Sequence, residues 1–370
     1  MLSALQIKGF RSFRQLSVKG LTPVSLLVGA NNAGKTSVLE AAELVLGGAG
    51  ISVLSRSVRR RGETVRAPEE TAFDRLGLVS HLFYGHRLEQ NVTFRIEAKD
   101  TEKRFFSCTL LPIENTKDLK PQQLLMFRPI AGRRITSSVR SEVFEPTSAL
   151  SIAADGTPEP LVVPLYGEGF PLLFDRTGST TRPPLKFIGT ATPTIGALQE
   201  LWDSVVLTPE EERVTEVLRI IEPGIERIAA LASSERGADA SIFVKLQDTE
   251  QRIPIGSMGE GIKRLLALSL NLTSAANGYL LVDEIDTGLH HSVMVKMWRL
   301  VVKAAERLNL QVLATTHSLD CVHSLAALYE QDRDTRDLIS LHRIERGTEA
   351  SIPYSADELL AAAKHQMELR

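Results

Sequence analysis

The chain has 370 residues, 43% of them hydrophobic and 24% charged, as is ordinary for a soluble globular protein with one large or two smaller domains. A formal net charge of −2 excludes a strongly basic protein that coats nucleic acid, although it permits local basic patches. The presence of only Cys108 and Cys321 argues against a disulfide framework and favours a reducing compartment. Because the sequence shows neither a signal-peptide core nor a bilayer-length apolar run, we expect a cytoplasmic protein without a membrane partner.

The first fifty residues predict strands followed by a helix. Alternating apolar residues around Leu5 and Ile7 predict a strand, and "PVSLLVG" is typical of a buried parallel strand. The segment "KTSVLEAAELVLGG" predicts a helix that ends at Gly47 and Gly48.

The rest of the chain predicts an antiparallel region, a helical region and a final α/β region. From Ile51 to about Pro184, short alternating runs broken by proline and glycine predict a mostly antiparallel β subdomain. The segment "SVVLTPEEERVTEVLRIIEPGIERIAAL" predicts a helical stretch punctuated by prolines, and "ASIFVKL" predicts a strand. From Ile255 onward strands and helices alternate, and a last helix begins at about Ala356.

The segment "GANNAGKT", from Gly29 to Thr36, matches G-x-x-x-x-G-K-[ST] between a predicted strand and a predicted helix. In such a loop the backbone N–H groups point at phosphates, the lysine contacts the β- and γ-phosphates, and the threonine hydroxyl binds Mg²⁺. Asparagine at the third variable position tolerates left-handed backbone. The predicted nucleotide ligands here are Gly29, Asn31, Asn32, Ala33, Gly34, Lys35, Thr36 and Ser37. The loop alone does not distinguish a kinase, a GTPase, a motor or a switch.

Two later strands are predicted to end in polar residues beside this loop. The apolar run in "GYLLVDEID" ends in Asp283 and Glu284, at the strand end where open α/β sheets bind ligands. Asp283 is therefore predicted to hold Mg²⁺ with Thr36, and Glu284 to orient or deprotonate the attacking water. His317 ends the strand predicted in "LQVLATTHS" and is placed to contact the γ-phosphate. The predicted catalytic residues are thus Lys35, Glu284 and His317.

The stretch "SMGEGIKRLLAL" combines a serine, two glycines and the start of an amphipathic helix. The hydroxyl of Ser257 and the amides of Gly259 and Glu260 are predicted to form an anion-binding helix N-terminus. In this order before the Asp-Glu strand, the stretch resembles the signature motif of ABC-type ATPases, although Met258 replaces the first glycine of the common pattern. That resemblance implies a homodimer with composite ATP sites, because the family's signature motif binds ATP held by the opposite subunit. A plain loop-to-helix cap is the alternative.

Five segments together resemble the ATPase domain of the overcoming-lysogenisation-defect (OLD) family, with RecF and SMC proteins as more distant relatives: "ALQIKGFRSF", "GANNAGKTSVLEA", "SMGEGIKRLLAL", "LLVDEIDTGLHHS" and "ATTHS". The resemblance implies that Arg11 and Ser12 lie near the nucleotide. It also places His290 where relatives have a D-loop aspartate, and it leaves Gln90 as a weak candidate for the Q-loop glutamine. His290 and His291 lack dedicated metal-ligand spacing, so we expect a polar loop near a subunit interface.

The resemblance implies an α/β fold, the P-loop ABC-type ATPase head, with a doubly wound, mainly parallel sheet, an antiparallel β subdomain and a helical subdomain. The four predicted segments are an N-terminal ATPase lobe with Walker A, an antiparallel β insert, a helical subdomain, and a C-terminal lobe with the signature, Walker B, D-loop and switch histidine. Their boundaries are residues 1–50, 51–185, 186–255 and 256–370.

Two departures from relatives narrow the expected function. The segment between Ser37 and Ile255 shows no sustained heptads, which argues against an SMC-like coiled-coil arm. The Asp-x-Asp within "DRDTRD" follows no apolar strand, so a solvated loop is expected there rather than the Toprim nuclease of full-length OLD proteins. The expected function is therefore an ATP-binding and ATP-hydrolysing switch that uses Mg²⁺ and acts with a separate nuclease or toxin subunit, as in two-gene phage-defence systems.

Two arginine clusters leave DNA contact open. One cluster follows the first predicted helix and the other lies in the β subdomain; they comprise Arg56, Arg59, Arg60, Arg61 and Arg66, and Arg128, Arg133, Arg134 and Arg140. Few aromatic residues flank either cluster, so stacking on single strands is not expected. The alternatives to a defence switch are a RecF-like DNA-repair ATPase and a non-catalytic scaffold stabilised by ATP.

Overall fold

A computed structural model of the protein describes residues 1–66, 75–100, 102–113, 148–172, 182–231 and 241–365. Its central sheet has six strands in the order β11-β15-β16-β3-β17-β18, and all neighbours are parallel except β18, which runs antiparallel to β17. The strands span Val24–Val28 (β3), Leu185–Ile188 (β11), Tyr279–Val282 (β15), Gln311–Thr315 (β16), Ile339–Arg343 (β17) and Ile352–Tyr354 (β18). β3, β15 and β16 are buried along their whole length, as their unbroken apolar runs predict.

A second sheet of six antiparallel strands has the order β2-β1-β6-β7-β8-β9. Its strands span Ala4–Phe10 (β1), Phe13–Lys19 (β2), Thr93–Lys99 (β6), Lys103–Pro112 (β7), Ser148–Ala154 (β8) and Leu161–Pro164 (β9). Helix α1, Lys35–Gly47, packs between this sheet and the central one, contacting strands of both. The helix is consequently buried almost all round, including its Glu40 and Glu43.

The other helices and the short strands complete the layers. Three short strands form a small sheet beside helix α2, which spans Ile51–Arg60. They are Thr64–Arg66 (β4), Arg75–Leu78 (β5) and Gly169–Pro171 (β10). A further antiparallel sheet contains Ile225–Leu231 (β12), Ser241–Leu246 (β13) and Arg252–Pro254 (β14). The remaining helices are Ile51–Arg60 (α2), Ile195–Asp203 (α3), Pro209–Leu218 (α4), Glu260–Ser274 (α5), His291–Arg307 (α6), Leu319–Gln331 (α7) and Ala356–Lys364 (α8). In the described part of the chain, no helix has both the length and the apolar character needed to cross a membrane.

Two secondary-structure predictions are wrong. The predicted helical stretch after Pro223 is strand β12, because Ile225 and Ile228 are buried where β12 pairs with β13. That long-range pairing overrides the local helix preference of the segment. The region predicted as β from Ile51 begins with helix α2, whose residues Leu54 and Val58 are buried on one face.

The division into four segments stays a prediction. The antiparallel sheet contains strands of both the first and the second segment. Strands β1 and β2 of the first segment pair with the strands of the second. The segment Arg333–Leu338 forms a short 3₁₀ helix in which Asp334 and Asp337 are exposed.

His342 on β17 is a buried histidine in the central sheet, with its Nε2 3.1 Å from the Ser340 hydroxyl. Burial lowers the pKa of His342 from 6.5 to about 4, so its ring stays neutral in the folded protein at neutral pH. The unfolded chain takes up a proton near pH 6.5, whereas the folded chain resists it down to about pH 4. The free energy of unfolding is therefore unaffected by this group above pH 6.5, falls as the pH drops from about 6.5, and the loss is complete once the pH has fallen through about 4.

We expect His342 to account for about 3 kcal/mol of the stability lost between pH 7 and pH 4. His342→Gln should flatten the pH dependence of the free energy of unfolding, whereas the exposed control His365→Gln should not. Urea unfolding at a series of pH values measures both slopes. Equal slopes for His342→Gln and the wild type would contradict this assignment.

Candidate nucleotide-binding site

The loop between β3 and α1 has the backbone of a phosphate-binding loop. Gly29 has φ 145° and Gly34 has φ 100°, conformations that favour glycine. A Cβ on Gly29 would lie 2.3 Å from the Ile344 carbonyl oxygen, and one on Gly34 would lie 2.7 Å from the Ser12 hydroxyl oxygen. Asn32 adopts left-handed backbone with φ 61°, as its residue type predicts.

The Lys35 ammonium lies within the loop. It donates to the carbonyl oxygens of Gly29 at 2.8 Å and Ala30 at 3.0 Å. Burial lowers the pKa of Lys35, and the carboxylates of Glu284 and Asp283 act in the opposite direction. Entering phosphate oxygens would offer this desolvated cation stronger, charged acceptors than the two carbonyls.

Thr36 and Asp283 meet across the α1–β15 junction. The Thr36 hydroxyl lies 3.0 Å from each Asp283 carboxylate oxygen, and Thr315 donates to the same carboxylate at 2.7 Å. These hard oxygen groups are of the kind that would bind Mg²⁺, with phosphates and waters supplying its other ligands. Thr36 and Asp283 therefore fit the predicted metal site.

Glu284 follows the same strand and points its carboxylate toward His317. Its backbone has φ 49°, and its N–H donates to the Thr315 hydroxyl at 2.8 Å. The carboxylate oxygen Oε1 lies 3.2 Å from His317 Nδ1, with the two side chains 34% and 44% exposed. Water can therefore reach this carboxylate, as a general base requires. Thr315, which joins Asp283 to Glu284, was not predicted as a site residue, although it lies within the quoted "ATTHS".

Arg264, on α5, holds the backbone of this acidic pair. Its guanidinium donates to the carbonyl oxygens of Gly189 at 2.6 Å, Asp283 at 2.8 Å and Glu284 at 2.9 Å. The side chain is buried, which lowers the pKa of Arg264, while the carboxylate of Asp283 partly counters the effect. The helix that begins at the signature stretch is thereby bonded to the end of β15, which carries the predicted metal ligand Asp283.

Arg11 lines the cleft above the loop, but its guanidinium is already engaged. It lies 2.6 Å from a Glu40 oxygen and 2.7 Å from a Glu63 oxygen, and it donates to the Ser57 hydroxyl at 3.0 Å. Two carboxylates therefore neutralise the charge of Arg11, and its predicted place near the nucleotide stays a prediction. Ser12 lines the cleft as expected, and unpredicted lining residues include Arg61, Glu63, His81 and His86.

The signature stretch lies outside the cleft lined by the chain's own P-loop. Ser257 lies within the 3₁₀ turn Ile255–Met258, Gly259 has φ 91°, and both residues are exposed just before α5. A Cβ on Gly261 would lie 2.9 Å from the Gly288 carbonyl oxygen, so this glycine permits the close approach of α5 to the loop after β15. Glu260 does not face the cleft; it pairs with Lys263 and accepts a hydrogen bond from Thr192 at 2.7 Å.

The remaining predicted residues lie at the periphery. His290 is exposed and caps α6, accepting from the Ser292 N–H, and its ring lies 4.1 Å from that of His291. Among the described residues no group of three or more histidine, cysteine or carboxylate side chains could hold a metal ion. Gln90 lies in an exposed turn before β6 and does not line the cleft.

The first arginine cluster is partly used inside the protein. Arg60 lies 2.8 Å from a Glu43 oxygen and over the Phe187 ring, and Arg61 lies 2.8 Å from a Glu40 oxygen. These pairs compensate the two carboxylates buried on α1, which reduces the positive charge offered to solvent. The second cluster, Arg128 to Arg140, lies outside the described residues.

Two protein-family models match parts of this chain. A model described as "AAA ATPase domain" matches residues 1–118, and one described as "AAA domain, putative AbiEii toxin, Type IV TA system" matches residues 203–320. An ATP/GTP phosphatase of Helicobacter pylori (strain ATCC 700392 / 26695) is 20% identical over 347 residues, covering 88% of this chain and 87% of that protein.

Solved structures with similar folds include heads of Smc proteins. One, an Smc head bound to the C-winged helix domain of ScpA, has a TM-score of 0.51 at 13% identity and covers 97% of this chain and 99% of that one. The chain has the fold of an ABC-type ATPase head. Another Smc head, with an extended coiled coil and bound to the C-terminal domain of ScpA derived from Pyrococcus furiosus, has a TM-score of 0.50 at 12% identity, with 99% of each chain covered.

The predicted fold class is thus confirmed. The two AAA models support ATP hydrolysis as the class of activity. The two halves of the site, the P-loop after β3 and the acidic pair after β15, are far apart in the sequence. The sheet brings them close, because β3 and β15 lie on either side of β16.

Proposed function

We propose that this ATPase head dimerises around two ATP molecules and hydrolyses them at composite sites. The observation that supports this most directly is the separation of Ser257 and Gly259 from the chain's own cleft, because both remain exposed at a helix N-terminus. A helix N-terminus binds anions. A second protomer facing the cleft would bring its own signature stretch to the open side of the γ-phosphate.

In this proposal each group at the site has a separate task. The loop amides and Lys35 bind the phosphates, and Thr36 and Asp283 hold Mg²⁺, which neutralises charge on the triphosphate. Glu284 accepts a proton from water, and His317 lies beside Glu284, where it can contact the γ-phosphate. Arg264 fixes the backbone from which Asp283 and Glu284 project.

Mixing two inactive variants tests the composite site. Lys35→Ala removes a phosphate ligand and Ser257→Arg blocks the signature, so each alone is expected to lose at least about 10²-fold in turnover. Mixed in equal amounts, half of the dimers carry one intact site of two, and activity should recover to about a quarter of wild type. Steady-state ATPase assays measure this. If Ser257→Arg alone stays active, the signature takes no part in the reaction.

We also propose a role as the sensor or scaffold of a phage-defence system with a separate nuclease or toxin subunit. The support is the resemblance to the OLD family and the matching AAA model, whose description names a type IV toxin–antitoxin system. The solved Smc heads are bound to parts of ScpA, so heads of this fold do bind separate proteins.

Affinity purification of the Glu284→Gln protein from its native host with Mg·ATP tests this role. We expect a stoichiometric nuclease-like or toxin-like subunit to co-elute, identified by mass spectrometry. Recovery of only DNA or repair proteins would contradict the defence role and favour the RecF-like alternative. That alternative also predicts salt-sensitive DNA binding by the isolated protein.

A further inference from the structure

A groove remote from the P-loop lies between helices α4, α5 and α6. We call it the α4–α6 groove: α5 provides its floor through Leu272 and neighbouring residues, and α4 and α6 provide its walls. Its apolar lining is Val214, Val217, Ile220, Leu272, Leu300, Ala304 and Leu308. Ile220, Leu300 and Leu308 are only partly buried, so apolar surface remains accessible there.

The α6 wall combines apolar and basic side chains on one face. Lys296, Leu300, Lys303 and Arg307 are spaced by three and four residues, which aligns them along one side of the helix. The opposite side of α6 is buried in the core through Trp298 and its neighbours. The side of α6 that faces the groove is therefore amphipathic as well, and no other described part of the chain packs over it.

One end of the groove is closed by a charge network between its walls. Arg307 pairs with both Glu210 oxygens, at 2.7 and 2.9 Å, and Arg213 pairs with the same carboxylate. Burial raises the pKa of Glu210, but these arginines outweigh that effect and lower it overall. The anionic charge of Glu210 is thus already neutralised within the protein.

The charge left over is positive. Five cationic and two anionic side chains line the groove: Arg213, Lys296, Arg299, Lys303 and Arg307, with Glu210 and Glu216. Lys296 and Lys303 are exposed and, within the described residues, form no ion pair. A bound partner would therefore be favoured by acidic groups placed beside an apolar stripe.

The shape of the groove selects the kind of partner. Helical walls and floor present ridges along helix axes, against which another helix packs, and they offer no strand edge for β-augmentation. We infer that the α4–α6 groove binds an acidic amphipathic helix of a partner protein, with its apolar stripe on Leu272 and Leu300 and its carboxylates on Lys296 and Lys303. This inference does not depend on ATP hydrolysis.

The groove is also connected to the signature stretch. Ile221, at the end of the α4 wall, lies 3.6 Å from the position of a Cβ built on Gly261. The floor helix α5 begins at Glu260, within that stretch. A helix bound in the groove would thus contact α5, whose N-terminus faces the ATP of the opposite protomer in the proposed dimer.

Selection from a displayed library tests the inference. The library presents a helical hairpin whose exposed face is randomised, and the full chain is the target. The matched variants are Lys296→Glu/Lys303→Glu in the groove and Lys8→Glu/Lys19→Glu on the exposed antiparallel sheet. Urea unfolding and ATP turnover confirm that both variants are folded.

We expect recovered helices to carry acidic residues beside an apolar stripe. Their Kd should rise at least 10-fold with the groove variant and stay unchanged with the sheet variant, and replacing their acidic residues with lysine should restore binding to the groove variant. Recovery of no helix, of neutral or basic helices, or of helices insensitive to the groove variant would overturn the inference. Binding of a DNA duplex or phosphatidylserine vesicles that the groove variant abolishes, without any such helix, would assign the surface to nucleic acid or membrane instead.

Discussion

Glu284→Gln is expected to lower kcat for ATP hydrolysis by about 10²- to 10⁴-fold, the range for loss of a general base, while Mg·ATP binding persists. The substitution keeps the size of the side chain and its contact with His317, whose Nδ1 lies 3.2 Å from Oε1. It removes the negative charge that, in the proposed mechanism, accepts a proton from water. The proposed phosphate and metal ligands, Lys35, Thr36 and Asp283, are unchanged.

Single-turnover and steady-state assays, together with equilibrium binding of ATP, separate chemistry from affinity. Glu349→Gln, an exposed residue away from the cleft, is the matched control and should leave both quantities unchanged. Wild-type turnover by Glu284→Gln would mean that another group activates water. If the wild type itself showed no turnover and assembly still required ATP, the non-catalytic scaffold would be the better description.

Arg264→Met is expected to lower the free energy of unfolding by about 3–5 kcal/mol, because it leaves buried polar groups without their partner. Three carbonyl oxygens, those of Gly189, Asp283 and Glu284, would lose a charged donor. The backbone carrying the general base would also be released, so kcat should fall by more than KM changes.

Urea unfolding and ATP turnover measure the two effects of Arg264→Met. Lys263, the neighbouring cation on α5, pairs with exposed Glu260, so Lys263→Met should change stability far less than Arg264→Met. Arg264→Lys keeps the charge but not the planar fork, and it should recover only part of the loss. Unaltered stability in Arg264→Met would show that the three carbonyl contacts contribute little.

The sequence predicts those parts of the site that are encoded locally. A P-loop needs its glycines, lysine and threonine in fixed order between a strand and a helix. The segment Gly29 to Thr36 has this order, so the loop geometry could be predicted from the sequence. The apolar runs ending at Asp283 and near His317 predicted strand ends for the same reason. In the structure the Thr36 hydroxyl oxygen lies 3.0 Å from Oδ1 of Asp283.

Long-range partners account for what the sequence did not predict. The helix preference after Pro223 was overridden by pairing of β12 with β13. The ion pairs of Arg11 depend on Glu40, on α1, and on Glu63, in the turn before β4. The Arg264 contacts likewise join α5 to the ends of β11 and β15, and no spacing within "SMGEGIKRLLAL" indicates them.

The most direct test of the account is the mass of the Glu284→Gln protein in solution with and without Mg·ATP. Sedimentation velocity should show a monomer without nucleotide and a dimer of twice that mass with saturating Mg·ATP. Adding Ser257→Arg to Glu284→Gln should return it to a monomer that still binds ATP. A protein that binds Mg·ATP and stays monomeric, or a dimer insensitive to both ATP and Ser257→Arg, would contradict the composite site.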